Sequence, residues 1–378
     1  YRYWDILKAP RIALSGKNLL AQGRSLLFGY LGYLILTYVA LLVDGVNFDY
    51  AWTNFGLFPI CSLDLYTWYA KAIWVLGVII FAAFAYLGAL VVARLAFEEL
   101  KGNYFFPLKQ ACKESRPNLR VFIVALLVLA LMIVVLGLLQ AVVGLVALIP
   151  TVGEIIYAVI YALPIFLWSL FIVFVAFGLS TAFLTLPAII TLSEKESFGA
   201  SFYVFNVIWT QPLRWFSLTG ISFLLAKVGT FVLAYFFMRA LQLSNWAVGL
   251  FAGDKMNEII AAGNGMIARH TEALGFLTHI SPGCPVGFNW LGSFGYAEPT
   301  GSGAVAAFII YIVLLLLGFV VLSFGINIIT AGQVITNLLI RYVEDDEKLT
   351  EELQVEEITA TDGSDDPVSD PPAAKESD

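Results

Sequence analysis

The stretch GISFLLAKVGTFVLAYFF, Gly220–Phe237, decides the fold class of this chain. It is apolar apart from a few small polar residues and one charge, Lys227. A helix needs about 20 apolar residues to cross a bilayer core of about 30 Å, and the apolar run around this stretch extends over 215–242. The stretch therefore predicts a membrane-spanning helix with a lysine near its middle.

The composition of the whole chain predicts an all-α integral membrane protein. Hydrophobic residues make up 60% of the 378 residues and charged residues only 13%. Soluble domains, by contrast, are about 45–50% apolar and about 25% charged. Six apolar runs are long enough to cross a bilayer as helices, and they lie at 25–43, 70–96, 120–149, 155–191, 215–242 and 303–340.

These runs divide the chain into three predicted parts. Residues 1–24 form an amphipathic cytoplasmic segment, residues 25–341 a six-helix transmembrane domain, and residues 342–378 an acidic disordered tail. From Arg341 to Asp378 the chain carries 14 acidic and 3 basic residues. Without apolar periodicity this tail cannot bury enough surface to fold alone. The alternative is that it docks onto a basic partner.

The fourth apolar run contains two prolines, Pro164 and Pro187. Proline removes a backbone donor and favours a kink in a helix. Two interpretations stay open for this run. We favour a single kinked span, and the alternative is a pair of half-helices that separate at Gly178 and Ser180.

Lysine and arginine are distributed unequally between the two predicted sides of the membrane. Cytoplasmic loops are enriched in these residues, so we predict a multi-pass protein of the cell membrane with both termini in the cytoplasm. The loops 44–69 and 243–302 then face outward, and we expect the longer one to form an ordered cap. The 14 bases on the predicted cytoplasmic side are Arg2, Lys8, Arg11, Lys17, Arg24, Arg94, Lys101, Lys109, Lys113, Arg116, Arg120, Lys195, Arg214 and Arg341. The opposite side has Lys71, Arg239, Lys255 and Arg269.

Three further segments, 1–20, 104–117 and 193–215, have the pattern of helices that lie in the membrane interface. In the third, Ser193 and Glu196 have the spacing of a capping box, which begins a helix by pairing free N–H groups. Aromatic residues then recur on one helical face, at Phe198, Phe202, Phe205 and Trp209. The alternative is a connector that packs on the helix bundle.

The run LPAIITLSEKESFGASFYVFNVIWTQPLRWF, 186–216, resembles a pattern in bacterial multi-span membrane proteins. The group includes the membrane domain of glycerophosphodiester phosphodiesterases. There, a span with a proline near its end leads into a short helix rich in serine and acids, then an aromatic and basic turn. The resemblance covers spans three to five and implies a six-helix integral membrane protein without established chemistry in its membrane part. The sequence contains no phosphodiesterase catalytic domain, so no such activity is implied.

Lys227 is the most unusual residue of the predicted spans. A lysine at the centre of a transmembrane helix costs about 2.5–3.5 kcal/mol on insertion scales. We expect it to face the bundle interior, where it would donate to backbone carbonyls near Gly178 and Ser180 or to water. We favour a structural lysine without a role. The alternatives are an anion or proton site and a contact with a partner subunit.

The last apolar run carries two stripes of residues at helical spacing. Gly318, Gly325 and Gly332 are seven residues apart, and small residues let helices approach closely in lipid. The second stripe is polar and consists of Asn327, Thr330, Gln333 and Asn337. We favour hydrogen bonding between helices for the polar stripe. The alternative is a polar vestibule that opens to the cytoplasm.

The residues that usually carry chemistry are few in this chain. Cys61 and Cys284 both fall in predicted outer loops, where disulfides persist, so they are a candidate disulfide. The alternative is two unpaired thiols. His270 and His279 lack the spacing of a zinc site, and no catalytic motif occurs. We therefore expect no catalytic residues, no metal and no cofactor.

Three function classes are consistent with these patterns. We favour a non-catalytic integral membrane subunit or scaffold of a membrane protein assembly, because no catalytic set is visible. The alternatives are a transporter or channel with a cytoplasmic polar vestibule, and a membrane enzyme that acts on lipid. The predicted partners are the lipid bilayer and other membrane protein subunits, and no nucleic acid is expected.

Overall fold

The computed structural model describes residues 3–57, 59, 65–145, 152–160, 164–192, 196–271 and 301–344. Within these ranges every regular element is a helix and no strand occurs. Six of the described helices are long and apolar enough to cross a membrane. The predicted all-α membrane fold with six spans is therefore confirmed.

The described chain begins with a short helical segment. A 3₁₀ helix, Tyr3–Lys8, leads into α1, Ala9–Ala13. The helices of spanning length are α2 (Gly16–Val43), α4 (Trp68–Leu100), α5 (Leu108–Gly144), α7 (Phe166–Leu192), α9 (Pro212–Thr271) and α10 (Ser302–Glu344). The shorter helices are α3 (Phe48–Phe55), α6 (Val152–Ile160) and α8 (Ser197–Thr210).

Both described chain ends lie at the same end of the bundle, which we name the proximal end. Tyr3 contacts Arg214 at the start of α9, and Gln211 donates to the carbonyl of Ile340 near the end of α10. The opposite end, where α2 ends at Val43 and α10 begins, is the distal end. An even number of spans accounts for this arrangement.

The helices α2 and α4 form a tightly packed antiparallel pair. A Cβ atom added to Gly29 of α2 would lie 2.8 Å from the Cβ of Phe84 and 3.2 Å from the carbonyl oxygen of Phe81. On α4, Gly77 meets the Tyr33 backbone and Leu36 of α2 in the same way. Glycine allows this close approach because it has no side chain to separate the two backbones.

The helices α9 and α10 form the second close pair. Gly332 of α10 faces Ser222, and a Cβ added to Gly325 would lie 2.8 Å from a methyl group of Thr230. Gly318, the third member of the predicted glycine stripe, is half-buried. Two of the three glycines thus lie where α10 approaches α9 most closely.

The amino-terminal segment enters the bundle and does not lie wholly on its surface. Ile6, Ala9 and Ile12 are buried in a core cluster with residues of α9 and α10. Trp4 and Leu7 of the same segment remain exposed. One face of this segment therefore packs against α9 and α10, and the interfacial placement of 1–20 stays a prediction.

Two further boundary predictions are wrong. The segment 104–117 is largely the first part of α5, which continues through Pro117. The predicted fourth span, 155–191, differs from the helix of spanning length, which is α7, Phe166–Leu192; α6 ends at Ile160, and residues 161–163 lie outside the described ranges. The helix is continuous at Gly178 and Ser180, so the half-helices predicted to separate there do not occur.

The helix α8 begins at Ser197, with Glu196 as its N-cap and no side-chain cap. Ser193 lies outside the described residues, so the predicted capping box stays a prediction. One face of α8, which includes Ala200 and Val204, is buried against α5 and α7. The predicted aromatic face points outward at Phe198, Phe202 and Trp209, whereas Phe205 is half-buried against Gly178.

The long loop predicted at 243–302 is partly helical. Residues 243–271 continue α9, and residues 272–300 lie outside the described ranges. Leu241 and Met266 both pack against the cluster of Tyr311 and Leu314 on α10. A straight helix would separate two residues 25 positions apart by about 38 Å. The axis of α9 is therefore bent between Leu241 and Met266.

Candidate functional site

The polar stripe of α10 is enclosed by neighbouring helices. Asn327, Gln333 and Asn337 are fully buried, and Thr330 is 7% exposed. The amide of Gln333 donates to the hydroxyl of Thr219 on α9 at 3.0 Å. These side chains form a buried seam at the proximal half of the bundle and do not line an open vestibule.

The other amides of this seam bond to backbone carbonyls. Asn327 donates to the carbonyl of Ala13 at 3.5 Å, which joins α10 to the amino-terminal segment. Asn337 donates within its own helix to the carbonyl of Gln333 at 2.8 Å. The stripe therefore makes one contact to α1, one to α9 and one along α10.

The sequence analysis missed the contribution of α2 to this seam. Asn18 is buried and donates to the carbonyl of Ile12 at 2.7 Å, and Gln22 is buried and donates to the carbonyl of Ala85 on α4 at 3.2 Å. The available signal was their spacing of four residues at the start of an apolar run, which places them on one helical face.

Several amide oxygens of the seam lack a hydrogen-bond partner among the described residues. They are the side-chain oxygens of Asn18, Gln22, Asn327, Gln333 and Asn337. A buried polar atom left without a partner costs about 1–3 kcal/mol. The seam is therefore well enclosed but incompletely satisfied, and its groups without a described partner are amide acceptors.

A charged cluster borders the seam where α4 meets α5. The carboxylate of Glu98 is almost fully buried and lies 3.1 Å from the guanidinium of Arg94 and 3.9 Å from the ammonium of Lys101. Arg94 also pairs with Glu114 of α5 at 3.0 Å. Asn103 donates to Glu98 at 3.3 Å. The cluster fixes the turn between the two spans.

Arg341 closes the proximal end of α10. Its Nε donates to the hydroxyl of Tyr203 on α8 at 2.8 Å, and the guanidinium lies 4.4 Å from the centroid of the same ring. The residue is only 7% exposed. A cation held over an aromatic face in this way joins α8 to α10.

Lys227 lies on the outward face of α9, so the predicted interior placement is wrong. The inward face of this helix carries Ser222 and Ala226, which are buried against α10. Lys227 is exposed together with Leu224 and Val228. The physical reason is that α9 and α10 approach closely where Ser222 meets Gly332 and Thr230 meets Gly325, which leaves no space there for a long charged side chain.

Ser180 does not contribute to an interior site. Its side chain is exposed, and its hydroxyl donates to the carbonyl of Ala176 in its own helix at 3.0 Å. Gly178 is buried against the ring of Phe205. The interior group that was expected to receive Lys227 is therefore not formed by these residues.

At the distal end, the carboxylate of Asp44 joins the end of α2 to the start of α4. Asp44 follows α2 and accepts hydrogen bonds from the backbone N–H groups of Tyr66 and Thr67, both at 2.9 Å, and from the Thr67 hydroxyl at 2.6 Å. The Thr67 hydroxyl, followed by the two backbone N–H groups, holds the pKa of Asp44 below its ordinary value. Asp44 thereby fixes the start of α4 beside the end of α2.

The candidate disulfide cannot be placed, since Cys61 and Cys284 lie outside the described residues, as does His279. The backbone of His270 belongs to α9, and its side chain also lies outside the description. In the described ranges no three His, Cys, Asp or Glu side chains gather in a way that would hold a metal ion. The disulfide stays a prediction.

Comparison of the chain with family models, curated proteins and solved structures finds no match. The resemblance to the membrane domain of glycerophosphodiester phosphodiesterases therefore stays an expectation. The function has to be argued from the seam, the charged cluster and the surface of the bundle.

Proposed function

We propose that this chain is a non-catalytic integral membrane subunit or scaffold of a membrane protein assembly. The observation that carries the proposal is the enclosure of the polar stripe. Asn327, Gln333 and Asn337 have no exposed surface, and their amides bond to α1, to α9 and along α10. Polar side chains used in this way hold helices together in lipid and leave no path for a solute.

We further propose that the exposed face of α9 contacts another subunit. Lys227 lies 15 residues after Pro212, which is about 22 Å along the helix. A neighbouring subunit packed on this face would cover Lys227 together with the apolar side chains around it, and buried polar contacts between helices stabilise packing in lipid. The large apolar residues exposed around it are Phe223, Leu224, Val228 and Phe231.

The proposed orientation places the proximal end in the cytoplasm of a cell membrane protein. The basic residues of α1, of the turn between α4 and α5 and of α9 gather at this end, where they would meet anionic lipid headgroups. The acidic tail, 342–378, would then lie in the cytoplasm, where a basic partner could bind it.

The exposed face of α9 around Lys227 is named the assembly face. It is tested by a photo-cross-linking side chain at Val228, with Leu138 of α5 as the matched control. The two residues are 53% and 62% exposed, so they report surfaces of similar accessibility. We expect a protein adduct at position 228 and only lipid adducts at position 138. Lys227→Met should also reduce the size of the complex on native gels.

Two outcomes contradict the proposal. Equal protein cross-linking at both positions, with an unchanged complex in Lys227→Met, would show that the assembly face does not contact another subunit. Rapid reaction of a cysteine at Thr330 with a water-soluble thiol reagent would show that the seam opens, as the transporter alternative requires. A cysteine at Ser15 provides the reference for a site outside the seam.

A further inference from the structure

A groove at the proximal end has the chemistry of an anion site at a membrane surface. It has a volume of about 580 Å³ and lies between the 3₁₀ helix, the end of α8 and the start of α9. None of its lining residues is acidic, and one is an arginine. The groove is lined by Tyr3, Thr210, Gln211, Pro212, Leu213, Arg214 and Ser217.

Arg214 is the charged group of this groove and is held in place by two neighbours. Its Nε donates to the hydroxyl of Tyr3, and its Nη1 donates to the side-chain oxygen of Gln211 at 2.6 Å. The guanidinium also lies 5.3 Å from the centroid of the Tyr3 ring. A guanidinium has five N–H groups, so these contacts orient it and leave donors for a ligand.

The backbone adds to the positive character of the groove. The helix α9 begins at Pro212, so the N–H groups of Leu213 and Arg214 precede the first intrahelical bond, which Trp215 makes to Gln211 at 3.0 Å. Free N–H groups at a helix start favour anions. An anion in the groove would therefore meet an arginine side chain and the start of a helix.

The rim of the groove at Leu213 is apolar and 85% exposed. Trp209 and Trp4, each next in sequence to a lining residue, are 78% and 77% exposed. Tryptophan is enriched where membrane proteins cross the headgroup region. A ligand that fills both the charged groove and this rim needs an anionic group next to an apolar body.

We propose that this groove binds the phosphate of an anionic phospholipid headgroup, with Arg214 as its principal contact and Leu213 beside the apolar part of the lipid. The shared chemistry is a phosphate ester, so a soluble phosphate is the competing source. The site is distinct from the buried seam and from the assembly face proposed for α9.

The same helix provides a matched control for Arg214. Arg239 donates from its Nε to the hydroxyl of Tyr235 at 3.1 Å and from its Nη1 to Gln242 at 2.8 Å. Its guanidinium lies 5.1 Å from the Tyr235 ring centroid. Arg239 thus repeats the contacts of Arg214 but lies outside the groove.

The experiment uses the full chain in mild detergent and native mass spectrometry with phosphatidylglycerol or phosphatidylcholine. We expect preferential binding of phosphatidylglycerol, reduced about tenfold by Arg214→Gln, which is the loss of one charge-assisted hydrogen bond. Arg239→Gln should bind as the wild type does. Ser217→Trp fills the groove without removing the charge and should also reduce binding.

Each remaining outcome contradicts the proposal. Equal binding of the two lipids, unchanged binding in both Arg214→Gln and Ser217→Trp, or an equal loss in Arg239→Gln would overturn it. Displacement of phosphatidylglycerol by an equimolar amount of inorganic phosphate would assign the groove to a soluble ligand. If Arg214→Gln fails to fold, Ser217→Trp decides, and wild-type binding in that variant overturns the proposal.

Discussion

The two ends of the bundle are held together in different ways. At the proximal end, buried amides connect α1, α2, α4, α9 and α10, and Arg94 of α4 pairs with Glu114 of α5. At the distal end, the polar contacts described are chiefly local ties, such as Asp44 to Thr67 and the Tyr33 hydroxyl to the carbonyl of Pro59 at 2.6 Å. The difference indicates that helix arrangement is specified at the proximal end, whereas the distal end stabilises the connections between helices.

The long helices show the same contrast along their length. In α5, the proximal residues Ala111, Phe122 and Ala125 are buried, whereas the distal residues Leu138 and Val142 are more than half exposed. Between α5 and α7 the distal contacts include Gln140, which donates to Ser169 at 2.7 Å. Exposed apolar surface is normal for helices in lipid, so polar burial is the better indicator of a specified interface.

The largest expected effect is at the closest helix approach of the proximal half. Gly332→Leu would place a branched side chain against Ser222 of α9. Overpacking of this kind costs about 1–3 kcal/mol, and more where the backbone cannot move. We expect loss of monodisperse protein in detergent, measured by fluorescence-detected size exclusion.

Gly137→Leu is the control in the distal half of α5, because a Cβ there meets no atom within 4 Å. It should behave as the wild type does. If both leucine variants are equally well folded, the proximal half is not the more tightly specified region.

A smaller effect is expected at the charged cluster. Glu98→Gln removes the buried carboxylate that pairs with Arg94 and Lys101. The free energy of unfolding should fall by about 2 kcal/mol. This is less than for a fully buried ion pair, because Arg94 retains access to solvent. The measurement is thermal unfolding of the purified chain in detergent.

Glu114→Gln provides the comparison, since this carboxylate pairs with the same Arg94 but is 37% exposed. Its effect should stay below about 1 kcal/mol, as for surface ion pairs. If Glu114→Gln lowers the stability as much as Glu98→Gln does, or more, then the buried carboxylate of Glu98 is not the main stabilising group of the cluster.

The smallest effect is expected at the distal corner and depends on pH. The hydrogen bonds to Asp44 lower its pKa in the folded state, so the carboxylate stabilises the fold above its unfolded pKa of about 4. This contribution disappears as the pH falls through the lower, folded-state pKa. Asp44→Asn should therefore destabilise the protein at neutral pH, and the difference from wild type should vanish in acid.

The measurement is the melting temperature of both proteins across the acidic range. Asp49→Asn, in the neighbouring α3, controls for removal of a charge at the same end of the bundle. A difference between Asp44→Asn and wild type that persists unchanged in acid would show that the carboxylate's ionised form is not what stabilises the corner.

For the polar stripe, the sequence predicted the shared helical face but not the helices that pack against it. Its helical spacing placed Asn327, Thr330, Gln333 and Asn337 on one face, and the structure buries all four. Spacing does not reveal which helix meets that face, so Asn18 and Gln22 were missed as members of the same seam. The groove at Arg214 was also missed. It is formed in part by Tyr3 and Arg214, which are 211 positions apart in the sequence.

The sequence by itself determined the membrane class, the number of spans and the residues that each helix places on one face. These depend on apolar length and helical period, which are local properties of the chain. Only the tertiary structure decided that Lys227 points outward, that one face of the amino-terminal segment is buried in the bundle and that α9 is bent. The physical reason is that the inward face of a helix in lipid is selected by the close fit of small and polar side chains to a neighbouring helix, and hydrophobicity alone does not distinguish that face from the one that meets lipid.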